Sequence, residues 1–85
     1  MLKKGAMHMI SAVVLVNTEF QSQTEIIENL KKVQGVEEAH ALYGVYDLFV
    51  KIKANSIEKI KEIINYSIRK MNGVTSSLTL MIVNA

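Results

Sequence analysis

The stretch Val36-Glu37-Glu38-Ala39-His40-Ala41-Leu42-Tyr43-Gly44-Val45-Tyr46-Asp47-Leu48-Phe49-Val50-Lys51-Ile52-Lys53-Ala54 decides the architecture. Residues 47–54 alternate Leu48, Val50, Ile52 with Phe49, Lys51, Lys53, the period of two that a strand imposes on its faces. Residues 36–43 form a second strand candidate, and Gly44-Val45-Tyr46 separates the two, so they predict a hairpin. Reading outward, each arm of this hairpin meets a helix. Upstream, residues 21–34 carry Ile26, Ile27, Leu30 and Val33 at helical spacing. Ser22 and Glu25 fit a capping box, Lys31 and Lys32 complement the end of the helix dipole, and Gly35 fits a left-handed cap. Downstream, Asn55 fits an N-cap with Glu58 at the third helical position, Ile57, Ile60, Ile64, Ile68 and Met71 make one apolar stripe, and Gly73 ends the helix.

Beyond the helices lie two more strand candidates. Residues 9–16 are an apolar, β-branched run that predicts a strand buried on both faces. Residues 74–83 place Ser77, Thr79, Met81 and Val83 on one side and Leu78, Leu80 and Ile82 on the other. The order is β-α-β-β-α-β. Lys31-Lys32-Val33-Gln34-Gly35-Val36 is echoed by Arg69-Lys70-Met71-Asn72-Gly73-Val74, so the two halves share a basic helix end, a glycine stop and a strand-opening valine. The pattern predicts an α+β, ferredoxin-like domain: a four-stranded antiparallel sheet with two helices on one face.

Two helices cover one side of such a sheet, and the other side of a monomer is expected to turn polar. It does not. With Ala12, Val14, Val16, Leu48, Val50, Ile52, Leu78, Leu80 and Ile82 assigned to the helices, Val13, Leu15, Phe49, Met81 and Val83 are left outside. These five predict a dimer interface, with Lys51 and Lys53 at its solvated edge. The alternative is that the N-terminal tail covers this face, or that it stays exposed.

Composition narrows the function. The chain has 85 residues, net charge +2 and no cysteine. A domain this short buries only about 60–65% of its unfolded surface, and oligomerisation is a common compensation where disulfides are absent. No basic stripe of the kind that neutralises many phosphates is present. No run approaches the ~20 apolar residues that span a bilayer, and the N-terminus has no signal-peptide core, so the expected location is cytoplasmic. Residues 1–8 are expected to be a flexible segment and residues 9–85 a single domain.

Polar chemistry gathers in two places. Around Gly44 and Val45 a hairpin tip can offer backbone N–H groups to an anion, while Asp47 can accept from an ammonium. The same residues serve equally as a turn, with Asp47 bonded to its own backbone and the tyrosines packed on an edge. Ser77 and Thr79 present hydroxyls on one strand face, suited to a ligand's polar groups or to an ordinary surface. His40 and Glu38 share a strand side and form either a proton-transfer dyad or an exposed pair. There is no phosphate loop, nucleophile elbow or metal-spaced cluster, so no metal, cofactor or catalytic residue is assigned.

The segments Ala12-Val13-Val14-Leu15-Val16-Asn17, Gly35-Val36 with Ala39, Tyr43-Gly44-Val45-Tyr46-Asp47, and Gly73-Val74 with Ser77 and Thr79 together resemble the effector-binding (RAM) domain of Lrp/AsnC transcriptional regulators. The resemblance covers about residues 9–83. It implies ferredoxin-fold dimers packed sheet to sheet, assembling further into rings, with no enzymatic activity. It implies a pocket between dimers for a free amino acid or similar small molecule. In that pocket Gly44, Val45, Tyr46 and Asp47 hold the charged head, and Ser77 and Thr79 come from a neighbouring subunit. Ser77 stands where the family carries a threonine. The family's helix-turn-helix domain has no counterpart in the sequence, so the resemblance implies a stand-alone module without direct nucleic-acid contact, working alone or with full-length Lrp/AsnC regulators. The alternatives are a pure assembly module and a small cofactor-free enzyme; the latter needs acid–base groups between sheet and helices, where this sequence has Ile, Leu and Val.

Overall fold

A computed structural model describes residues 9–19 and 23–83. The elements run β1 (Ile10–Thr18), α1 (Gln23–Leu30), β2 (Val36–Ala41), β3 (Leu48–Ala54), α2 (Ile57–Ile63) with a π-helical extension (Ile64–Ile68), and β4 (Val74–Met81). All pairings are antiparallel, in the order β2-β3-β1-β4. The ferredoxin-like α+β arrangement expected from the sequence is the one observed. The expected capping serine Ser22 and the segment 1–8 lie outside the described residues.

The register explains the core. Ala12, Val14 and Val16 of β1 lie opposite Ile52, Val50 and Leu48 of β3. All six are fully buried, beneath Ile26 and Leu30 of α1 and Ile60, Ile63, Ile64 and Ile68 of the second helix. Among the described residues no polar or charged side chain is buried. The core is therefore held by apolar area removed from water, at roughly 25 cal/mol per Å².

The helices end earlier than expected, at Leu30 and Ile68, and the two glycines serve not as their caps but in the turns that lead into the next strands, closed by Val36 N–H donating to the Val33 carbonyl and Val74 N–H donating to the Met71 carbonyl. Gly35 and Gly73 have φ of 99° and 98°. The Gly35 carbonyl accepts from Lys53 N–H and the Gly73 carbonyl from Glu19 N–H, each at 2.8 Å. A Cβ on Gly35 would lie 2.7 Å from Ile63 Cδ1, a terminal methyl that can turn aside, and 3.3 Å from the Lys53 carbonyl oxygen, so it is chiefly the torsion that calls for glycine there.

Four further expectations need correction. The second helix is capped by Ser56, not Asn55: the Ser56 hydroxyl accepts from Lys59 N–H at 3.1 Å. Its buried stripe includes Ile63 but not Ile57, which is 48% exposed. Ile57 opens the helix on the side that lines a cleft beside β4, and after Ile63 the helix widens into a π turn, in which Arg69 N–H donates to the Ile64 carbonyl five residues back. β1 is fully buried on one face only; Val13 and Leu15 on the other are half-buried. Finally, β4 has the reverse facing. Met81, Thr79 and Ser77 lie opposite Ala12, Val14 and Val16, on the helix side, while Leu80 and Leu78 lie opposite Val13 and Leu15 on the open face. Val83 lies beyond the strand and is 86% exposed. Apolarity misdirected the assignment because α1 packs over β2 and β3 and α2 over β3 and β1, leaving the edge strand β4 outside the cover of the helices.

Candidate functional site

The facing of β4 creates the site. Because the helices do not reach over this edge strand, the helix-side residues Ser77 and Thr79 line a cleft of about 510 Å³ rather than a core. Ile57, Ile60 and Ile64 form its aliphatic wall, and Met81 lies at one end. Lys61, Asn65 and Arg69, four residues apart, edge the cleft from the helix. All three are exposed. None of the lining residues is acidic. Sequence reading found the two hydroxyls and missed the helix edge. A signal was present in the spacing 57-61-65-69, a stripe beside the core stripe 60-64-68.

The second polar group lies at the hairpin, residues 42–47. It is closed by Leu42 N–H donating to the Asp47 carbonyl at 2.8 Å and tied to β1 by Asp47 N–H donating to the Val16 carbonyl at 3.0 Å. The Asp47 carboxylate is also committed: its Oδ2 accepts from the Thr18 backbone N–H at 2.8 Å and lies 3.5 Å from the Thr18 hydroxyl. One oxygen therefore closes the end of β1, a bond across the sheet, whereas the structural option read from the sequence was a bond of Asp47 to its own backbone. Tyr43 is fully exposed and Val45 87% exposed, whereas Tyr46 is half-buried. Gly44 does not have positive φ, and a Cβ there would meet nothing within 4 Å. The turn itself does not require this glycine.

Within one chain the two groups are separate. β1 lies between β3, which follows Asp47, and β4, which bears Ser77, so they stand about 10 Å apart by strand spacing. Ser77 and Thr79 share a cleft; Gly44, Val45, Tyr46 and Asp47 do not line it.

On the open face Val13, Leu15, Phe49, Leu78 and Leu80 form an apolar band, with Leu78 43% and Leu80 47% exposed. Its border is charged. Glu37 lies 3.8 Å from Lys51 Nζ and 3.4 Å from Lys53 Nζ, and His40 Nε2 lies 3.0 Å from Glu38 Oε1 with its ring 6.0 Å from that of Phe49. The His40–Glu38 pair is thus surface-exposed and away from the cleft. Among the described residues there is no metal-binding cluster, and no helix is long and apolar enough to cross a membrane.

Comparison with known proteins gives the class. The Lrp/AsnC ligand binding domain family matches residues 11–85, and the chain belongs to that family. Over 60 residues it is 32% identical to an uncharacterised HTH-type transcriptional regulator of Pyrococcus horikoshii; the match spans 71% of this chain and 40% of that protein. It also matches the homocitrate synthase of Saccharolobus islandicus at 36% identity over 59 residues, 69% of this chain and only 13% of the enzyme. Among solved structures, FFRP-DM1 superposes with a TM-score of 0.84 at 30% identity, covering 87% of this chain and 99% of that one. A Neisseria meningitidis transcriptional regulator in complex with L-Met shares the fold, with a TM-score of 0.82 at 14% identity over 99% of this chain and 56% of that one. The chain thus has the ligand-binding domain of Lrp/AsnC type and spans less than half the length of the curated regulator it matches.

Proposed function

We propose that this module binds a small molecule, an amino acid, in the cleft beside β4, and that it does so as an oligomer. The observation that carries the reading is the placement of Ser77 and Thr79. They occupy the helix side of a strand, where a core would demand apolar residues, yet they line an accessible cleft with aliphatic Ile57, Ile60 and Ile64. An aliphatic wall with a few convergent polar groups is the usual make-up of a small-molecule site. The hairpin supplies the complementary half from a neighbouring copy: Asp47 accepts from the ammonium, and Gly44 and Val45 offer backbone N–H groups to the carboxylate. An exposed glycine that its own turn does not need leaves room for a close approach from outside.

Oligomerisation draws support from the open face. Val13, Leu15, Phe49, Leu78 and Leu80 form a contiguous apolar band with a polar border, the composition of an interface core and rim. A second copy packed sheet to sheet covers it, and further association of dimers brings hairpin and cleft together. The ligand reading also agrees with the name of the family and with the L-Met complex of the Neisseria regulator. A catalytic role draws no support from the core, which holds no buried acid or base among the described residues.

The test is thermal denaturation with each of the twenty amino acids at millimolar concentration, with sedimentation to measure assembly. At a hundredfold excess over Kd, binding stabilises by about 2.7 kcal/mol. A shift with a chemically related few supports the reading. No shift with any of them leaves an assembly module without this ligand.

A further inference from the structure

Resting on the cleft reading above, we infer that the ligand is an acidic amino acid, its side-chain carboxylate held by Lys61 and Arg69. The charge pattern of the two clefts carries the inference. A second cleft, of about 340 Å³, is lined by Lys53 and Lys59 beside Gly35 and Ile63. Both of those lysines already hold carboxylates: Lys53 lies 3.4 Å from Glu37 and Lys59 2.8 Å from Glu62. That cleft has no cation left over. In the β4 cleft the position is reversed. Lys61 and Arg69 line it, and among the described residues neither has a carboxylate within the 4.0 Å of an ion pair. Two uncompensated cations beside an aliphatic wall leave a local positive potential that an anion would neutralise, and they repel a ligand with a cationic side chain.

The division of labour follows from what each group offers. Asp47 and the hairpin N–H groups of a neighbouring copy account for the ammonium and carboxylate of a zwitterion. Lys61 and Arg69 are then surplus to the head group and face what lies further along the cleft. Ile57, Ile60 and Ile64 accept an aliphatic stem, and a negative charge at its end meets the cations. An arginine fork holds a carboxylate through two parallel hydrogen bonds, and Asn65, between the two cations in sequence, has an amide able to donate another. The chemistry is that of glutamate or a close analogue.

The experiment is calorimetric titration of the wild-type protein and of Lys61→Gln, Arg69→Gln and their double variant with glutamate, glutamine, norleucine and lysine. This series holds the α-amino acid head constant while the side-chain charge changes. All four proteins are first checked for unchanged melting temperature, as expected for exposed side chains. The expected result is that glutamate binds the wild type at least tenfold more tightly than lysine does, that the preference weakens as salt is raised, and that it shrinks below threefold in the double variant. Binding of norleucine or lysine as tightly as glutamate would overturn the assignment of charge class and leave the amino-acid reading standing. Preference for glutamate undiminished in the double variant would remove Lys61 and Arg69 from the site. No binding by the wild type of any of the twenty amino acids would remove the ligand reading, and this inference with it.

Discussion

Replacement of Asp47 separates the two tasks assigned to one carboxylate. Its Oδ2 accepts from Thr18 N–H at 2.8 Å in a partly buried position at the end of β1. Asp47→Ala leaves that N–H without its partner and removes a hydrogen bond to a charged group, a loss of about 1.5–3 kcal/mol. With an unfolding entropy near 2.1 cal/mol/K per residue, a loss of about 2 kcal/mol lowers the Tm of a chain this size by roughly 11 °C. Asp47→Asn keeps a carbonyl oxygen able to accept from Thr18 but discards the charge, so it is expected to recover at least half of the lost stability. On the proposed function, both variants lose amino-acid binding, because an amide carbonyl attracts an ammonium far less than a carboxylate does. The assay is paired: a calorimetric or circular-dichroism melt for the fold, and a titration for the ligand. An Asp47→Ala Tm within about 2 °C of the wild type would refute the structural role, whose magnitude rests on the cited hydrogen-bond range. Undiminished binding by Asp47→Asn would refute the ligand role.

Gly35→Ala is expected to destabilise by about 2 kcal/mol or more, since it forces an L-residue to positive φ and puts a methyl against Ile63; a melt within error of the wild type would refute this. Val13→Glu and Leu80→Glu each place a charge in the middle of the open-face band and are expected to yield monomers in sedimentation; an unaltered profile for both would remove that face from the interface. Ser56→Ala removes the cap of the second helix and is expected to cost about 1 kcal/mol, read from the shift in denaturant midpoint, whereas Asn55→Ala at the neighbouring position is expected to leave it nearly unchanged. Thr79→Val preserves shape and removes the hydroxyl; binding is expected to weaken by about 1–2 kcal/mol, and equal affinity would place Thr79 outside the ligand's reach.

The element order was readable because each element is locally consistent: alternation in 47–54, helical spacing of Ile60, Ile64 and Ile68, and two positive-φ glycines in the turns that open β2 and β4. The facing of β4 was not, and the reason is specific. Hydrophobicity marks which side of a strand is hidden from water, not which partner hides it. Leu78 and Leu80 are apolar on the side the helices do not touch, whereas Ser77 and Thr79 are polar on the side where a central strand would need valine. Only the pairing with β1 and the position of the helices distinguish the two. The cap at Ser56 rather than Asn55 is a one-residue matter between two competent side chains, decided by which oxygen reaches Lys59 N–H. The helix edge of the cleft was obscured because the 3.6-residue period groups Ile57 with Ile60 and Ile64, and periodicity does not tell a residue covered by the sheet from one left beside an uncovered edge strand.

The two glycine turns have a consequence for how the chain assembles itself. The carbonyl of Gly35, in the first β-α-β half, is bonded to Lys53 in the second, and that of Gly73, in the second, to Glu19 in the first. The central strands β1 and β3 likewise come from different halves. Neither half can complete its own backbone pairing, so a folding nucleus must bring together segments far apart in sequence, and folding is expected to be slower than for a helical bundle of equal length. The exposed hairpin at residues 43–45 is where the halves are joined with the least packing. A chain nicked there retains every cross-half bond just named, so its two fragments are expected to find each other and rebuild the sheet as a non-covalent complex.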